Sequence, residues 1–322
     1  MVALYVTSSG KGSGRTAVCV GLGKHLLDKG KKVGFLKPVP DKSAGDDGID
    51  FIKRLFSLDE PADTLSPGTA GVKEAYGKVS QGKDVIIVDG PSERKASGDI
   101  VKTLSAKVLV VEAYSKELLK TAGAYKEFGE SLLGVVLNKV PKDRMEQARS
   151  EASEILDKAG IKLLGVLPED RILSSITIGE LAEVVKGEVL RGVERSAELV
   201  ENVMLGALGV DPGPDYFGRK DNKAVVLRSE RPDMQMAAME TSTRCMVLTG
   251  DTPLQQVVLA RAEEKDMPII LVKDDVTSVV DSIEAVLAKP GLNQENKLPR
   301  LIEIMEQNLD FQALDKGLGL AG

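Results

Sequence analysis

Small, hydroxylic and cationic residues crowd into one short segment near the start of the chain, residues 7–16, with the sequence TSSGKGSGRT. The apolar run ALYV precedes this segment and AVCV follows it, a pattern that favours a strand, a loop and then a helix. Glycines allow backbone N–H groups to turn inward around phosphate oxygens, and the start of a helix adds unpaired N–H donors and a positive dipole end. The segment therefore predicts a phosphate-binding loop.

The loop fits the nucleotide-binding pattern G-x-x-x-x-G-K-S/T at Gly14 and Thr16 but departs from it at two other positions. Ser9 stands at the first glycine, and Arg15 stands at the lysine that reaches the outer phosphates. Arginine keeps the positive charge but is a bulkier, planar donor, so we expect binding to survive where turnover suffers. Thr16 is then the predicted Mg²⁺ ligand, and Lys11 supplies a second cation. The alternative is a glycine-rich turn that binds nothing.

Three further polar residues follow predicted strands, at the edge where open parallel sheets bind their ligands. Lys37 follows the second strand and is a candidate phosphate contact, while Asp89 ends the apolar run VIIV and is a candidate Mg²⁺ ligand. Asn138 ends GVVL, and its amide is able to read the edge of an adenine base. The alternative interpretations are a solvated lysine, a capping aspartate and a turn asparagine.

Short apolar runs rich in valine, isoleucine and leucine alternate with helical stretches along the first half of the chain. This alternation is typical of a parallel sheet covered on both faces. We predict strands at residues 3–6, 32–36, 84–88, 107–112, 133–138 and 162–167, and helices near residues 15–29, 46–56, 69–81, 116–129 and 143–159. The expected fold class is α/β, a doubly wound and mostly parallel sheet followed by a second, smaller α/β domain.

The domain division is predicted from a change in composition. Residues 188–208 place valine and leucine at about helical spacing, which predicts a long helix at the end of a first domain, residues 1–208. Residues 209–217 are rich in proline, glycine and aspartate, so a second domain is expected over residues 209–322. That domain repeats the strand–helix alternation and ends in an amphipathic helix near residues 298–309.

Composition excludes several classes of function. With 42% hydrophobic and 29% charged residues and no apolar run near the roughly 18 residues of a membrane span, we expect a cytoplasmic protein without a membrane partner. A net charge of -6 and 3% aromatic residues argue against a nucleic-acid partner. Two cysteines and one histidine argue against a disulfide framework, a zinc cage and most histidine-dependent triads.

Five segments together, TSSGKGSGRT, FLKPV, VIIVDG, GVVLNKV and LLGVLPEDRIL, resemble the dethiobiotin-synthetase-like and cobyrinate-synthase-like P-loop families over roughly residues 1–190. Residues 227–233 (LRSERPD) and 239–250 (METSTRCMVLTG) resemble a DRTGG domain. This order of domains is similar to the N-terminal region of long bacterial phosphotransacetylases. Cys245 lies in the second half without a histidine, so the glutaminase of a complete cobyrinate a,c-diamide synthase is not expected.

The resemblance implies ATP and Mg²⁺ as cofactors and a homodimer, for which the helix predicted over residues 188–208 offers an apolar surface. It also implies, together with the loop pattern, nucleotide contacts from Gly10, Gly12, Ser13, Gly14, Arg15, Thr16 and Asn138. Asp47 or Asp50 falls where the synthetases carry a metal-associated aspartate, beside Thr16 and Asp89 as the other metal candidates. In the second domain, Arg228, Arg231 and Arg244 are either an anion site or an ordinary surface charge cluster.

Two functions follow from these residues. The first is an ATP-dependent enzyme, a ligase that activates a small carboxylate or an ATPase, in which Arg15, Lys11 and Lys37 neutralise the phosphates. The second is a non-catalytic nucleotide-sensing module of the phosphotransacetylase N-terminal type. Arginine at position 15 favours the second, because a sensor needs differential binding and no chemistry.

Overall fold

The computed structural model describes residues 1–39, 47–91, 94–115, 122–206, 213–287 and 294–320. Its contacts divide the chain into two compact units, the first comprising Met1–Asp170 and Leu292–Gly322 and the second Arg171–Gly291. This division corrects the predicted one at residues 208 and 209. The boundary moves because residues 188–205 contribute strands to the second unit, and the C-terminal segment moves because its helices pack on the first.

The first unit is built on a six-stranded parallel sheet in the order β2-β3-β1-β4-β5-β6. Its strands are β1 (Val2–Thr7), β2 (Val33–Leu36), β3 (Val85–Asp89), β4 (Lys107–Ala113), β5 (Leu132–Val140) and β6 (Leu163–Pro168). Its helices before residue 170 are α1 (Arg15–Asp28), α2 (Asp47–Phe56), α3 (Ala62–Leu65), α4 (Val72–Val79), α5 (Arg94–Leu104) and α6 (Met145–Lys158). Apolar side chains cover both faces of these strands, as in a sheet with helices on either side. All six predicted strands and the doubly wound α/β fold are confirmed.

The strand order reverses at β1, which lies between β3 and β4. At such a reversal the loops after two neighbouring parallel strands lead away in opposite directions, and a crevice forms between them at the carboxyl edge of the sheet.

The predicted helix near residues 116–129 begins outside the described residues, and Ala122–Ser131 is a 3-10 segment. Shorter 3-10 turns lie at Thr69–Gly71 and Lys142–Arg144.

The second unit has a five-stranded sheet in the order β10-β11-β12-β13-β8, in which β8 alone runs antiparallel to its neighbour. Its strands are β7 (Ile176–Thr177), β8 (Glu188–Arg191), β9 (Leu199–Val200), β10 (Asn202–Leu205), β11 (Lys223–Arg228), β12 (Thr243–Thr249) and β13 (Ile269–Val272), with β7 paired to β9. Its helices are α7 (Arg171–Ser174), α8 (Ile178–Val184), α9 (Pro214–Phe217), α10 (Pro232–Met239), α11 (Gln256–Glu264) and α12 (Val276–Leu287). Apolar clusters cover both faces, as predicted for a smaller α/β domain.

The long helix predicted over residues 188–208 is wrong. The described part of that segment forms β8, β9 and β10, with a 3-10 turn at Val193–Arg195. Val189, Val200 and Val203 pack into one apolar cluster of the second unit from strands, and Gly192 with φ 75° ends β8. The β-branched side chains of valine pack more favourably on a pleated sheet than in a helix, so this segment forms strands in place of the predicted helix. The helical surface that was predicted to serve a homodimer is therefore not formed by residues 188–206, and the homodimer that the resemblance implies stays a prediction.

The C-terminal segment returns to the first unit as a 3-10 turn (Glu295–Lys297) and two helices, α13 (Leu298–Asn308) and α14 (Phe311–Gly317). Met305 is fully buried against Gly21 of α1. The ring of His25 stacks on Phe311 at 3.9 Å. These helices cover α1, the helix that follows the glycine-rich loop. Within the described ranges, no helix has both the length and the apolar character that crossing a membrane requires.

Candidate functional site

The glycine-rich loop connects β1 at the sheet centre to the start of α1. Gly14 caps α1 with φ 85° and ψ 20°, a left-handed conformation that costs a glycine little. A side chain at Gly14 is also excluded by space, because its Cβ would lie 2.3 Å from Asn138 Nδ2. The first turn of α1 has no acidic residue and no side-chain cap. Its unpaired N–H groups and positive dipole end therefore suit an anion.

Thr16 and Asp89, the two predicted Mg²⁺ ligands, lie side by side. Thr16 Oγ1 donates a hydrogen bond of 2.6 Å to Asp89 Oδ2, from the first turn of α1 to the end of β3. A hydroxyl and a single carboxylate beside a phosphate loop match the oxygen ligands that Mg²⁺ uses with nucleotides. These residues fit the metal that the loop pattern implies.

The side chain of Arg15 contacts the residues at the end of β3. Its Nη1 donates a hydrogen bond of 2.5 Å to the carbonyl of Gly90, and its Nε lies 3.8 Å from Asp89 Oδ1. Lys37 follows β2, the strand beside β3. Burial raises the pKa of the Cys19 thiol well above its usual value, and the charges of Asp89, Arg15 and Lys37 all act on it. Arg15 and Asp89 therefore lie together at the end of β3, and Lys37 follows the neighbouring strand.

Ser13 and Lys11 occupy different surroundings within the loop. Ser13 is 2% exposed, and its Oγ has no hydrogen-bond partner among the described residues. A buried hydroxyl without a hydrogen-bond partner costs free energy unless a ligand or a water molecule supplies the partner. Lys11 lies exposed on the outer part of the loop, a position open to solvent.

Asn138 holds the loop from the end of β5. Its Nδ2 donates a hydrogen bond of 2.9 Å to the carbonyl of Ser13, and its Oδ1 accepts one of 2.9 Å from the N–H of Lys139. The amide therefore fixes the loop that precedes α1. Its predicted contact with a base stays a prediction.

Glu112 belongs to the site, although the sequence analysis missed it. Glu112 is the residue before the last of β4, and its buried carboxylate accepts hydrogen bonds from the N–H of Ser9 at 2.6 Å and from the hydroxyl of Ser9 at 3.0 Å. The hydroxyl of Tyr125 donates a third at 2.7 Å. The signal was present in the sequence, since VLVVE ends an apolar strand in a carboxylate just as VIIVD does at Asp89.

The other metal candidates are not brought to this cluster as a group. Asp47 begins α2, but its side chain lies outside the described residues, and Asp50 is exposed on the same helix. In the part of the chain that the structure describes, no three histidine, cysteine or acidic side chains gather as a metal-binding group. The Mg²⁺ candidates that the structure brings together are therefore Thr16 and Asp89.

The three arginines of the second unit do not form one site. Arg228 ends β11 opposite Thr249, whereas Arg244 lies near the start of β12, roughly 16 Å away at 3.3 Å per residue. Each arginine has a carboxylate partner, as three ion pairs show: Arg228–Glu230 at 4.0 Å, Arg231–Asp233 at 2.7 Å and Arg244–Glu198 at 3.3 Å. These pairs favour a surface charge cluster over a shared anion site.

Family models match both units. Residues 2–73 match an AAA domain, and residues 180–286 match the DRTGG domain. The chain joins a P-loop domain to a DRTGG domain. The resemblance predicted from the loop and from residues 227–250 is thereby confirmed, and the DRTGG match lies within the second unit, Arg171–Gly291.

Curated relatives match this chain over different parts of its length and of theirs. The chain is 22% identical to phosphate acetyltransferase of Haemophilus influenzae, over 93% of this chain and 51% of the relative. It is 27% identical to the ATP-dependent dethiobiotin synthetase BioD of Frankia casuarinae, over 52% of this chain and 84% of the relative. The chain spans about half the length of the phosphate acetyltransferases it matches. Among solved structures, the septum site-determining protein MinD of Pyrococcus horikoshii in complex with Mg-ADP is 19% identical with a TM-score of 0.40, over 53% of this chain and 83% of that one.

Proposed function

We propose that the P-loop domain binds Mg-ATP and that the chain acts as a nucleotide-sensing regulatory module. The observation that supports this most directly is the 2.6 Å hydrogen bond between Thr16 and Asp89 at the end of the loop. In this proposal the N–H groups at the start of α1 bind phosphate oxygens, and Thr16 and Asp89 hold Mg²⁺. The metal, when bound, neutralises phosphate charge.

The contacts of Arg15 favour sensing over turnover. Its guanidinium binds the Gly90 carbonyl and lies near Asp89, so a phosphate would compete with those groups for the same donor. Binding would then exchange the contacts that Arg15 makes with Gly90 and Asp89 at the end of β3. A ligand shifts a protein only by its different affinity for two states, and this exchange supplies such a difference.

The second candidate is an ATP-dependent enzyme that activates a small carboxylate. It is supported by the similarity to dethiobiotin synthetase and by Lys37, which follows β2 at the same edge of the parallel sheet as Asp89. In this candidate Arg15, Lys37 and Lys11 stabilise the charge of the transferring phosphate. A carboxylate would attack the terminal phosphate and release ADP.

ADP formation from Mg-ATP separates the two candidates, because transfer of the terminal phosphate to a carboxylate leaves an acyl phosphate and ADP. The sensor predicts binding with ADP formation no faster than in Asp89→Ala, with or without a panel of small carboxylic acids. The ligase predicts ADP formation that rises with one of those acids and falls in Lys37→Ala. Lys158→Ala is the control for a lost surface charge, because Lys158 pairs with Glu154 at the far end of α6.

A further inference from the structure

Lys139 has a backbone conformation that few residues with a side chain adopt. It follows Asn138 with φ 59°, in the left-handed region. The pairing of β5 with β6 shifts register between Leu137 and Val140, and a bulge of this kind redirects a side chain. Strained residues persist only where their surroundings fix them, and they concentrate at binding sites. Here the N–H of Lys139 is held by Asn138 Oδ1 at 2.9 Å.

The side chain of Lys139 lies along the phosphate loop. A Cβ built on Gly14 would be 3.9 Å from Lys139 Cε, and Nζ is bonded to that carbon. Gly14 caps α1, so the ammonium group lies close to the helix end that suits an anion. Asn138 connects Lys139 to the loop, because Asn138 Oδ1 accepts from the N–H of Lys139 while Asn138 Nδ2 donates to the carbonyl of Ser13.

We infer that Lys139 binds the phosphates nearest the nucleoside, an inference that rests on the proposed nucleotide site. Thr16 and Asp89 lie on the β3 side of the loop, and a Mg²⁺ held by them would neutralise charge at the terminal end of the triphosphate. The terminal phosphate of ATP would therefore face β3. Lys139 extends from β5, which lies on the other side of β1 in the sheet. Its charge acts on the inner phosphates, which ADP and ATP share.

The test is a titration of Mg-ADP and Mg-ATP into Lys139→Met, Lys139→Arg and Lys139→Gly in the full chain. We expect Lys139→Met to lower the affinity for both nucleotides by about tenfold, since a charge-assisted hydrogen bond is lost. Lys139→Arg retains most of the affinity. Lys139→Gly relieves the backbone strain, so its melting temperature equals or exceeds that of the wild type while its nucleotide affinity falls.

Two matched controls separate the charge from the backbone. Lys186 has φ 50° and lies in the second unit, so Lys186→Gly shares the backbone change without the loss of affinity. Lys158→Met removes an exposed charge from α6 and leaves binding unchanged. If the wild type binds both nucleotides and Lys139→Met binds them with the same affinity, this inference fails while the proposed function stands. Equal loss of affinity in Lys139→Arg and Lys139→Met has the same consequence. A wild type that binds neither nucleotide contradicts the proposed function and this inference with it.

Discussion

The carboxylate of Glu112 accepts two hydrogen bonds from Ser9, one from the backbone N–H of Ser9 at 2.6 Å and one from the hydroxyl of Ser9 at 3.0 Å. Ser9 is the residue that replaces the first glycine of the loop pattern, and Glu112 lies near the end of β4, the strand beside β1. A glycine would lose the second bond. Serine at this position therefore anchors the loop to the sheet, and the departure from the pattern has a structural purpose.

The first prediction concerns that anchor. Glu112→Gln retains the shape of the side chain but replaces one accepting oxygen with a donor beside three donors from Ser9 and Tyr125. We expect a loss of about 1–3 kcal/mol in the free energy of unfolding and weaker binding of Mg-ATP. Urea denaturation measures the first effect. Glu127→Gln, at an exposed position, is the control. An unfolding midpoint equal to that of the wild type in Glu112→Gln would contradict the anchor.

The second prediction concerns Gly90, which follows Asp89. A Cβ at Gly90 would lie 2.1 Å from Tyr5 Cζ, and Tyr5 is fully buried. Gly90→Ala therefore destabilises the protein by about 1–3 kcal/mol and moves the carbonyl that binds Arg15. Gly98→Ala, within α5 and with open space around it, stabilises by about 0.5–1 kcal/mol in the same denaturation experiment. Equal effects from the two variants would count against this account of Gly90.

The third prediction tests whether the C-terminal helices are part of the P-loop domain. Met305 is fully buried against α1, so Met305→Ala leaves a cavity and lowers the free energy of unfolding by about 2–5 kcal/mol. Gln307→Ala, exposed on the same helix, changes it by less than about 0.5 kcal/mol. Urea denaturation followed by circular dichroism gives both values. A Met305→Ala midpoint matching that of Gln307→Ala would show that α13 adds no stability.

Stability at high pH gives the fourth prediction. Burial raises the pKa of the Cys245 thiol from 9.0 to about 12 and that of the Tyr5 hydroxyl from 10.0 to about 12. The folded chain keeps protons that the unfolded chain releases, so this stability is present below about pH 9 and is lost as the pH rises toward 12. We expect the free energy of unfolding to fall over that range, with a smaller fall in Cys245→Ala. Constant stability between pH 9 and about 11 would disagree with this burial.

Much of the P-loop domain could be predicted from the sequence, because its six parallel strands are buried on both faces and therefore appear as continuous apolar runs. The same local signal located the loop, Thr16 and Asp89. Residues 188–206 could not be assigned in this way, since their valines match helical spacing while β8 and β10 pair with strands far along the chain. The return of α13 to α1 also depends on contacts that local spacing does not encode.

Lys139 and Glu112 show a second limit of the sequence. Both end or nearly end apolar strands, but nothing in a local pattern places Lys139 beside Gly14 or Glu112 beside Ser9. Those contacts arise from the strand order, which sets β4 and β5 next to β1 in turn. Strand order is fixed by packing across the whole sheet.

Calorimetric titration of Mg-ATP into the wild type and Arg15→Ala tests the central claim most directly. We predict saturable binding by the wild type, affinity at least about tenfold weaker in Arg15→Ala, and unchanged binding in Lys158→Ala. Absence of heat from the wild type with both Mg-ATP and Mg-GTP, or equal affinity in the wild type and Arg15→Ala, would contradict the claim that this loop binds nucleotide.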